Sequence, residues 1–415
     1  MTSMDCSIRK EPHARTHPLK IFNAAKSQRR YLYACAPMVR YSKLAFRQTV
    51  HRYGTDLCWT PMILAKEFNR NQVARDSDLT ISTAGPELPT IAQFGSNSPL
   101  EFSRASTLVA PFVNGVDLNC GCPQSWACAE TLGAALMEKR ELVHDMVVAT
   151  RQRLRDDGWG VEKEADFGAS QSLYDAFSDQ GHVLEASPFL RCSQNPLKKA
   201  TTKPEFRSND LRKTVDFVTT VLGDEHDRNI DWLTIHPRTR YTQSTAPINL
   251  EALELLTDMF GDKLPVLVSG DVFTLSTLPY TSHLLEAQPT FTSNEHSTDT
   301  NEVPGNKRPQ LPKLAGLMSA RALLSNPALF AGYETCPWEA VDVFMNNVAR
   351  APLPLKLGIH HLTEMCGAGF GPDRSALLSK AERIRLTEFN NWIDVIDFMD
   401  DAKIERGIEP VVRLA

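Results

Sequence analysis

The sequence has no run of about 18 or more apolar residues, the length that a membrane-spanning helix requires. Its first residues also lack an apolar signal segment, which argues against secretion. The nine cysteines are an odd number at irregular spacings and do not form a disulfide framework, so we expect reduced thiols. These absences predict a cytoplasmic protein, with the nucleus as the alternative compartment.

An excess of positive charge is also absent, since the formal net charge is −5. An acidic chain is not an obvious binder of nucleic acid. The basic residues are nevertheless concentrated: residues 1–55 carry eleven Lys and Arg against Asp5 and Glu11, a local charge of +9. We expect residues 1–18 to be a basic, disordered tail. Three roles stay open for the basic stretch: contact with phosphates, a mitochondrial presequence, or a solvated tail.

A Gly-x-Gly-x-x-Gly motif after a strand is missing as well, so a Rossmann dinucleotide site is not supported. From residue 31 onward, short apolar runs alternate with helix-like segments, which is typical of βα units and a parallel sheet. Eight such repeats favour an α/β fold, a (β/α)8 TIM barrel over residues 19–335. Strands are predicted at 31–36, 56–60, 90–94, 113–118, 232–235, 265–268 and 314–318, with an eighth between 155 and 210. Helices are predicted at 43–53 with Ser42 as N-cap, 129–155, 210–222, 250–260 and 327–332.

Two segments interrupt the alternation. Residues 158–209 show no convincing strand pattern, and residues 281–312 are rich in polar residues, as expected for an insertion in a barrel loop. After Trp338 the strand pattern ends, and we expect residues 336–415 to form a small C-terminal helical domain. Its apolar stripe is expected to be core: Phe389, Trp392, Ile393, Ile396 and Met399.

Chemically useful residues follow almost every predicted strand, as in barrel enzymes. The loops after the last two strands, Ser269-Gly270-Asp271 and Ala320-Arg321, suit a phosphate because glycine allows close backbone approach and arginine adds a charged fork. A mononucleotide such as FMN fits this pattern better than a dinucleotide. The other candidates are Pro37, Met38 and Val39 after the first strand, Gln93, Asn119 and Cys122, then His236 and Arg238.

Cys122 is the candidate catalytic acid. Reduction of an activated C=C bond beside a flavin needs a proton donor on the opposite face, and a thiol is largely protonated near neutral pH. Asn119 could hold the polar edge of the substrate or the isoalloxazine, while Cys120 is expected to face the other way. A zinc site of the Cys-x-Cys type is the metal alternative. It needs two more ligands, and Cys128 alone does not provide them, so we expect no metal.

These motifs resemble the flavin-dependent tRNA-dihydrouridine synthases. The match rests on Ala36-Pro37-Met38-Val39, Gln93, Asn119-x-Gly-Cys122-Pro123, His236-x-Arg238-Thr239, Ser269-Gly270-Asp271 and Gly316-x-Met318-x-Ala-Arg321. Their order and spacing agree over roughly residues 19–335. Further stretches look similar to the eukaryotic subfamily that modifies uridines 20a and 20b: Tyr41 to Arg47, Tyr53 to Cys58, and Cys122 to Ala127.

The resemblance implies an oxidoreductase in which NADPH reduces bound FMN, hydride passes to C6 of a D-loop uridine, and Cys122 protonates C5. It implies substrate contacts from Asn119 and Arg238, and cytosolic tRNA held by a monomeric protein between the barrel mouth and the helical domain. The target base must leave its stack to reach the flavin. The FMN contacts implied are Pro37, Met38, Val39, Gln93, Lys203, His236, Ser269, Gly270, Asp271, Ala320 and Arg321.

One departure from the family concerns the lysine at the end of its fifth strand. Lys203 is the nearest candidate by spacing, Lys198 and Lys199 are others, and the region 160–204 is either an untypical insertion or an erroneous gene model. A smaller departure is Ser269, where many relatives have Asn. Two alternative functions stay open: an FMN-dependent reductase or dehydrogenase of free pyrimidines, and a non-catalytic tRNA-binding relative.

Overall fold

The computed structural model describes residues 16–81, 88–159, 183–185, 208–224, 227–239, 241–281 and 308–409. Much of the predicted tail at 1–18 and of the irregular segments at 158–209 and 281–312 therefore lies outside the described residues. Within the described part, no helix is both long and apolar enough to cross a membrane.

The strands form one parallel sheet in the order of a TIM barrel. Eight of them succeed one another around the sheet, and the first pairs with both the second and the last, so the sheet curls in the order of a TIM barrel, with Val183–Glu185 and Leu233–Ile235 at its two ends. The short β3 is additional and pairs with β4. The strands are β1 Leu32–Cys35, β2 Leu57–Trp59, β3 Ile63–Leu64, β4 Thr90–Gly95, β5 Gly115–Leu118, β6 Val183–Glu185, β7 Leu233–Ile235, β8 Val266–Ser269 and β9 Gly316–Ser319.

All seven predicted strands are present, with ends within two residues of the prediction. The eighth, expected between Arg155 and Asp210, is β6, which pairs with β5. The sequence pattern did not locate this strand within residues 158–209, because a strand of three residues is too short for an alternating pattern to show. Lys203, the candidate for the end of this strand, lies outside the described residues.

The helices of the barrel lie in the intervals between its strands, and four further helices follow the barrel. They are α1 Pro18–Ser27, α2 Leu44–Arg52, α3 Ala65–Arg70, α4 Gln72–Asp78, α5 Pro99–Val109, α6 Ser125–Ala129, α7 Arg140–Asp156, α8 Ser208–Leu222, α9 Leu250–Phe260, α10 Arg321–Ser325, α11 Trp338–Arg350, α12 Leu355–Met365, α13 Lys380–Leu386 and α14 Trp392–Ile404. Single 3-10 turns cover Ala110–Phe112, Gly133–Glu138 and Leu329–Ala331.

Three helix predictions need correction. The helix predicted at 129–155 is divided into α6, the 3-10 turn from Gly133 and α7, because Thr131 and Gly133 adopt positive φ. The helix predicted at 327–332 is only a 3-10 turn, which ends at the left-handed Gly332. Ser42 does not cap α2: its hydroxyl accepts a hydrogen bond from Met38 N at 3.0 Å and donates one to Met38 O at 3.2 Å.

The barrel interior is packed with large side chains and is not a channel. Trp59 and Trp232 are fully buried and meet edge to face, with ring centroids 6.4 Å apart. Phe22 of α1 reaches Trp232 at 5.8 Å between centroids. Since Trp232 precedes β7, α1 covers the amino-terminal end of the barrel. The carboxyl ends of the strands lie at the opposite rim, where the candidate site residues follow the strands.

The C-terminal helices pack on the barrel at α2. Asn347 of α11 donates a hydrogen bond to the Thr49 hydroxyl at 3.0 Å, and His361 of α12 lies among aromatic rings, including Phe46 of α2. The predicted apolar stripe is only partly core: Met399 is fully buried, whereas the Ile393 side chain is 70% exposed.

Candidate active site

The carboxyl ends of the parallel strands meet at one rim, and all but one of the predicted site residues lie there. The exception is Lys203, which falls outside the described residues. After β1, the Ala36 amide donates to Ser319 O at 2.9 Å, which joins the first and last strands at the rim. Met38 is buried beneath this junction, and Val39 is half exposed at the mouth.

The thiol side of the rim consists of Gln93 on β4 together with Asp117, Asn119 and Cys122 on β5 and its following loop. Gln93 Nε2 donates to Asp117 Oδ2 at 2.6 Å, and Asn119 Nδ2 donates to Gln93 Oε1 at 2.8 Å. Asn119 Oδ1 in turn accepts the backbone N–H groups of Gly121 and Cys122, at 3.0 and 2.9 Å. The structure therefore brings the predicted Gln93, Asn119 and Cys122 into one hydrogen-bonded set.

The Cys122 loop is supported from behind by Gly133. The Cys122 carbonyl accepts the Ala134 N–H at 2.9 Å, and Cys128 Sγ donates to it at 3.8 Å. Gly133 has φ +57°, and a Cβ there would stand 2.5 Å from Cys122 O and 2.8 Å from Cys122 Cβ. Only glycine fits this contact without displacing the thiol-bearing residue.

The two thiols of the motif have different surroundings. Cys120 is fully buried, and burial together with the nearby Asp117 charge raises its thiol pKa well above the ordinary value. Cys122 is only half buried. Cys120 thus lies in the core, as expected, and Cys122 is the thiol available at the rim.

The phosphate side of the rim consists of His236 and Arg238 after β7 together with Gly270 and Asp271 after β8. Gly270 has φ +120° and Asp271 has φ +54°, so the backbone turns sharply as it leaves β8. Arg238 is 4% exposed, forms an ion pair with Asp271 Oδ1, and donates through Nε to Ala246 O at 2.8 Å. Asp271 Oδ2 accepts the Ile248 N–H at 2.8 Å, which fixes the second carboxylate oxygen.

Gly270 makes close contacts with both residues that follow β7. A Cβ at Gly270 would lie 3.0 Å from Arg238 Nη1 and 3.2 Å from His236 Cε1. The lack of a side chain therefore lets His236 and Arg238 pack directly against the turn after β8. The arrangement brings His236, Arg238, Gly270 and Asp271 together, as the sequence predicts.

Arg321 stands apart from that ion pair. It is exposed, donates to Ser244 O at 3.0 Å, and lies 5.8 Å from the centroid of the Phe370 ring. Phe370 stacks on Phe273 at 5.2 Å between centroids. The predicted cation after β9 is therefore placed where the barrel loops meet the segment after α12.

Sequence analysis missed Asp117 and Gly133. Asp117 lies inside a strand between apolar residues, where a lone carboxylate is an unusual signal that could have been noticed. Gly133 carries no motif, and its contact with Cys122 depends on the path of the chain after α6. In the described residues, no cluster of three or more His, Cys, Asp or Glu could hold a metal ion.

Comparisons with known proteins identify the family of this chain. A profile described as dihydrouridine synthase (Dus) matches residues 34–157, which include Gln93, Asn119 and Cys122. Curated tRNA-dihydrouridine(20a/20b) synthases [NAD(P)+] from Schizosaccharomyces pombe and Saccharomyces cerevisiae are 32% and 31% identical over 389 residues. These alignments cover 94% and 93% of this chain, and 93% and 84% of the yeast proteins.

A human protein named tRNA-dihydrouridine(20a/20b) synthase [NAD(P)+]-like is 31% identical over 384 residues, covering 92% of this chain and 93% of its own length. With identities above 30% over nearly the whole length of both chains, this chain belongs to the dihydrouridine synthase family.

Proposed function

We propose that this protein is an FMN-dependent tRNA-dihydrouridine synthase that reduces uridines 20a and 20b in the D-loop of cytosolic tRNA, with NADPH as the reductant. The observation that carries the proposal is Cys122, a half-buried thiol at the barrel rim whose loop is held through Asn119. The substrate and its positions are taken from the names of the relatives that match the chain along nearly its whole length.

The phosphate side fits FMN. Gly270 is partly exposed and has no side chain to keep a phosphate away from the backbone, and Arg238 neutralises the Asp271 carboxylate that would otherwise repel an anion. Arg321 offers a second cation at the rim, where it is exposed. The residues proposed to hold FMN are Pro37, Met38, Val39, Gln93, Lys203, His236, Ser269, Gly270, Asp271, Ala320 and Arg321.

The chemistry needs one proton from the protein for each uracil reduced. When bound, reduced FMN supplies the hydride that C6 of the uracil accepts. The S–H bond of Cys122 breaks as its proton passes to C5, and the resulting thiolate is reprotonated from solvent. Because Asn119 fixes the backbone of Gly121 and Cys122, it aims the thiol at one face of the base.

The tRNA is proposed to contact the rim and the C-terminal helices from 336 onward. An extruded base needs an aromatic or apolar surface beside the pocket. Trp126 on α6, four residues beyond Cys122, is 45% exposed and suits such stacking. We propose that the barrel spans 19–335 and that the protein acts as a monomer in the cytoplasm.

The proposal is tested by reconstitution. Purified protein loaded with FMN is incubated with NADPH and an unmodified tRNA transcript, and dihydrouridine is measured and mapped by nucleoside and fragment mass spectrometry. We expect dihydrouridine at 20a and 20b, with no product when NADPH is omitted. Product at other positions would contradict the site assignment.

Two outcomes would replace the proposal. Turnover of free uracil or dihydroorotate, without product on tRNA, would identify an enzyme of free pyrimidines. Binding of tRNA by a protein that does not bind FMN would identify a non-catalytic relative.

A further inference from the structure

A chain of hydrogen bonds runs from the barrel interior to the Cys122 loop. It begins at Trp59, whose Nε1 donates to Asp117 Oδ2 at 3.1 Å, and Gln93 donates to the same oxygen at 2.6 Å. From Gln93 it passes through Asn119 to the backbone of Gly121 and Cys122. Every side chain in it is at least 94% buried, so water does not readily substitute for a lost partner.

The direction of this chain is fixed at both ends. The backbone N–H groups of Gly121 and Cys122 can only donate, so Asn119 must turn its oxygen toward them and its Nδ2 toward Gln93. Gln93 must then present its own oxygen to Asn119 and its Nε2 to Asp117. All of these hydrogen bonds can form together only if the group that receives Gln93 Nε2–H is an acceptor. The Asp117 carboxylate meets that requirement.

The sheet holds Asp117 where this acceptor is needed. Asp117 on β5 is the direct neighbour of Gln93 on β4, and Trp59 on β2 lies beside Ile91 on the other flank of β4. The Gln93 N–H also donates to the Thr60 hydroxyl at 3.1 Å, which anchors the backbone of this residue. The three strands therefore place one oxygen within reach of two donors.

We infer that Asp117 is a positioning residue for Cys122: its buried carboxylate sets the orientation of the Gln93 and Asn119 amides, and through them the Cys122 loop. The inference deepens the proposed function and rests on it for the role of the thiol. It requires a hydrogen-bond acceptor at the position of Asp117 Oδ2, to which both Trp59 and Gln93 donate. Loss of that acceptor leaves the buried donors of Trp59 and Gln93 without this partner and allows the Gln93 side-chain amide to rotate by 180°.

The test compares Asp117→Leu, which has the same branching pattern, a larger volume and no acceptor, with Asp117→Asn, which keeps an oxygen for the shared position. Asp231→Asn is the matched control, since Asp231 is a buried aspartate paired with Arg151 just before β7, at the other end of the barrel. Two assays are used. The first measures the alkylation rate of Cys122 by iodoacetamide in the protein without FMN or tRNA, located by peptide mass spectrometry, and the second measures kcat and KM with tRNA.

We expect Asp117→Leu to change the Cys122 alkylation rate more than the control does, and to lower kcat up to about 100-fold with little change in KM. Asp117→Asn should restore both values. Wild-type alkylation and kcat in a folded Asp117→Leu protein would overturn the inference. If that variant does not fold, Asp117→Ser, whose short side chain cannot reach the shared position, is measured against the same two outcomes.

Because alkylation needs neither cofactor nor substrate, this result separates the inference from the proposed function. A wild-type protein without activity on tRNA would refute the function, while the alkylation rates would still decide the role of Asp117.

Discussion

The thiol side of the rim is held by neutral amides in series, whereas the phosphate side is held by an ion pair and a glycine turn. On the thiol side, Gln93 and Asn119 connect the buried Asp117 to the Cys122 backbone. On the phosphate side, Arg238 pairs with Asp271, and Gly270 carries φ +120°. The arrangement on the thiol side fixes the orientation of the Cys122 loop, and the arrangement on the phosphate side fixes the shape of the backbone at Gly270.

This difference fits the two tasks that we propose. Proton transfer depends on where one sulfur atom points, so a chain with a defined polarity suits it. Binding of a phosphate depends on backbone approach and local charge, so a glycine turn with a neutralised carboxylate suits that. Substitutions on the thiol side should therefore alter turnover, and substitutions on the phosphate side should alter FMN affinity.

The largest effect is expected from Gly133→Ala, which breaks the thiol side alone. The added methyl group would stand 2.5 Å from the Cys122 carbonyl oxygen, so the loop must move. A displacement near 1 Å at a reacting group costs about 100-fold in rate, and we expect a fall in kcat of that size with unchanged FMN affinity.

Gly158→Ala is the matched control for that variant. Gly158 also has positive φ, +80°, but no atom of the described residues lies within 4 Å of an added Cβ. Both variants carry the same backbone penalty, so equal kcat values in the two would disprove the role of Gly133. The comparison uses steady-state kinetics on tRNA at saturating FMN.

A second variant, Gly270→Ala, breaks the phosphate side alone. Alanine at φ +120° is strained by roughly 1–3 kcal/mol and crowds Arg238 and Ile248. We expect the Kd for FMN to rise about tenfold, which corresponds to about 1.4 kcal/mol, while kcat at saturating FMN stays near wild type. Fluorescence titration of the apoprotein measures the Kd. Gly332→Ala, at φ +88° with no atom of the described part of the chain within 4 Å of the added Cβ, should bind FMN normally.

A third effect, on stability and not on turnover or FMN binding, is expected away from the rim at His361, which lies in the contact between the C-terminal helices and the barrel. Burial, with a contribution from the charge of His360, lowers the pKa of His361 from 6.5 to about 3. The unfolded chain therefore takes up a proton below pH 6.5 that the folded chain excludes, and stability is lost as pH falls from 6.5 toward 3.

At pH 5 this histidine should lower the free energy of unfolding by about 2 kcal/mol relative to pH 8. Urea denaturation of wild type and His361→Leu at both pH values measures the difference. The leucine variant should lose about 2 kcal/mol less than wild type between the two pH values. Identical pH dependence in the two proteins would contradict the assignment.

The sequence predicted the parts of the site that depend on strand ends. Short apolar runs located the strands, and parallel strands bring Gln93, Asn119, His236 and Gly270 to one rim regardless of the details of packing. Family membership, the barrel and the helical C-terminal region are confirmed. The predicted roles of the individual residues, Lys203 and Arg238 among them, stay predictions.

The parts that sequence could not predict depend on contacts between segments far apart or on local φ. Gly133 supports Cys122 only because the chain turns back after α6, and Asp117 gains its role from two donors on other strands. Ser42 looked like a helix cap, but Met38 competes successfully for its hydroxyl. β6 was too short to be recognised by periodicity.

The most direct test of the account is dihydrouridine formation by Cys122→Ala with FMN bound. A general acid contributes about 100-fold or more, so we predict a loss of at least that size with FMN affinity unchanged, while Cys120→Ala retains activity. Wild-type rates from Cys122→Ala would contradict the claim that the rim thiol supplies the proton.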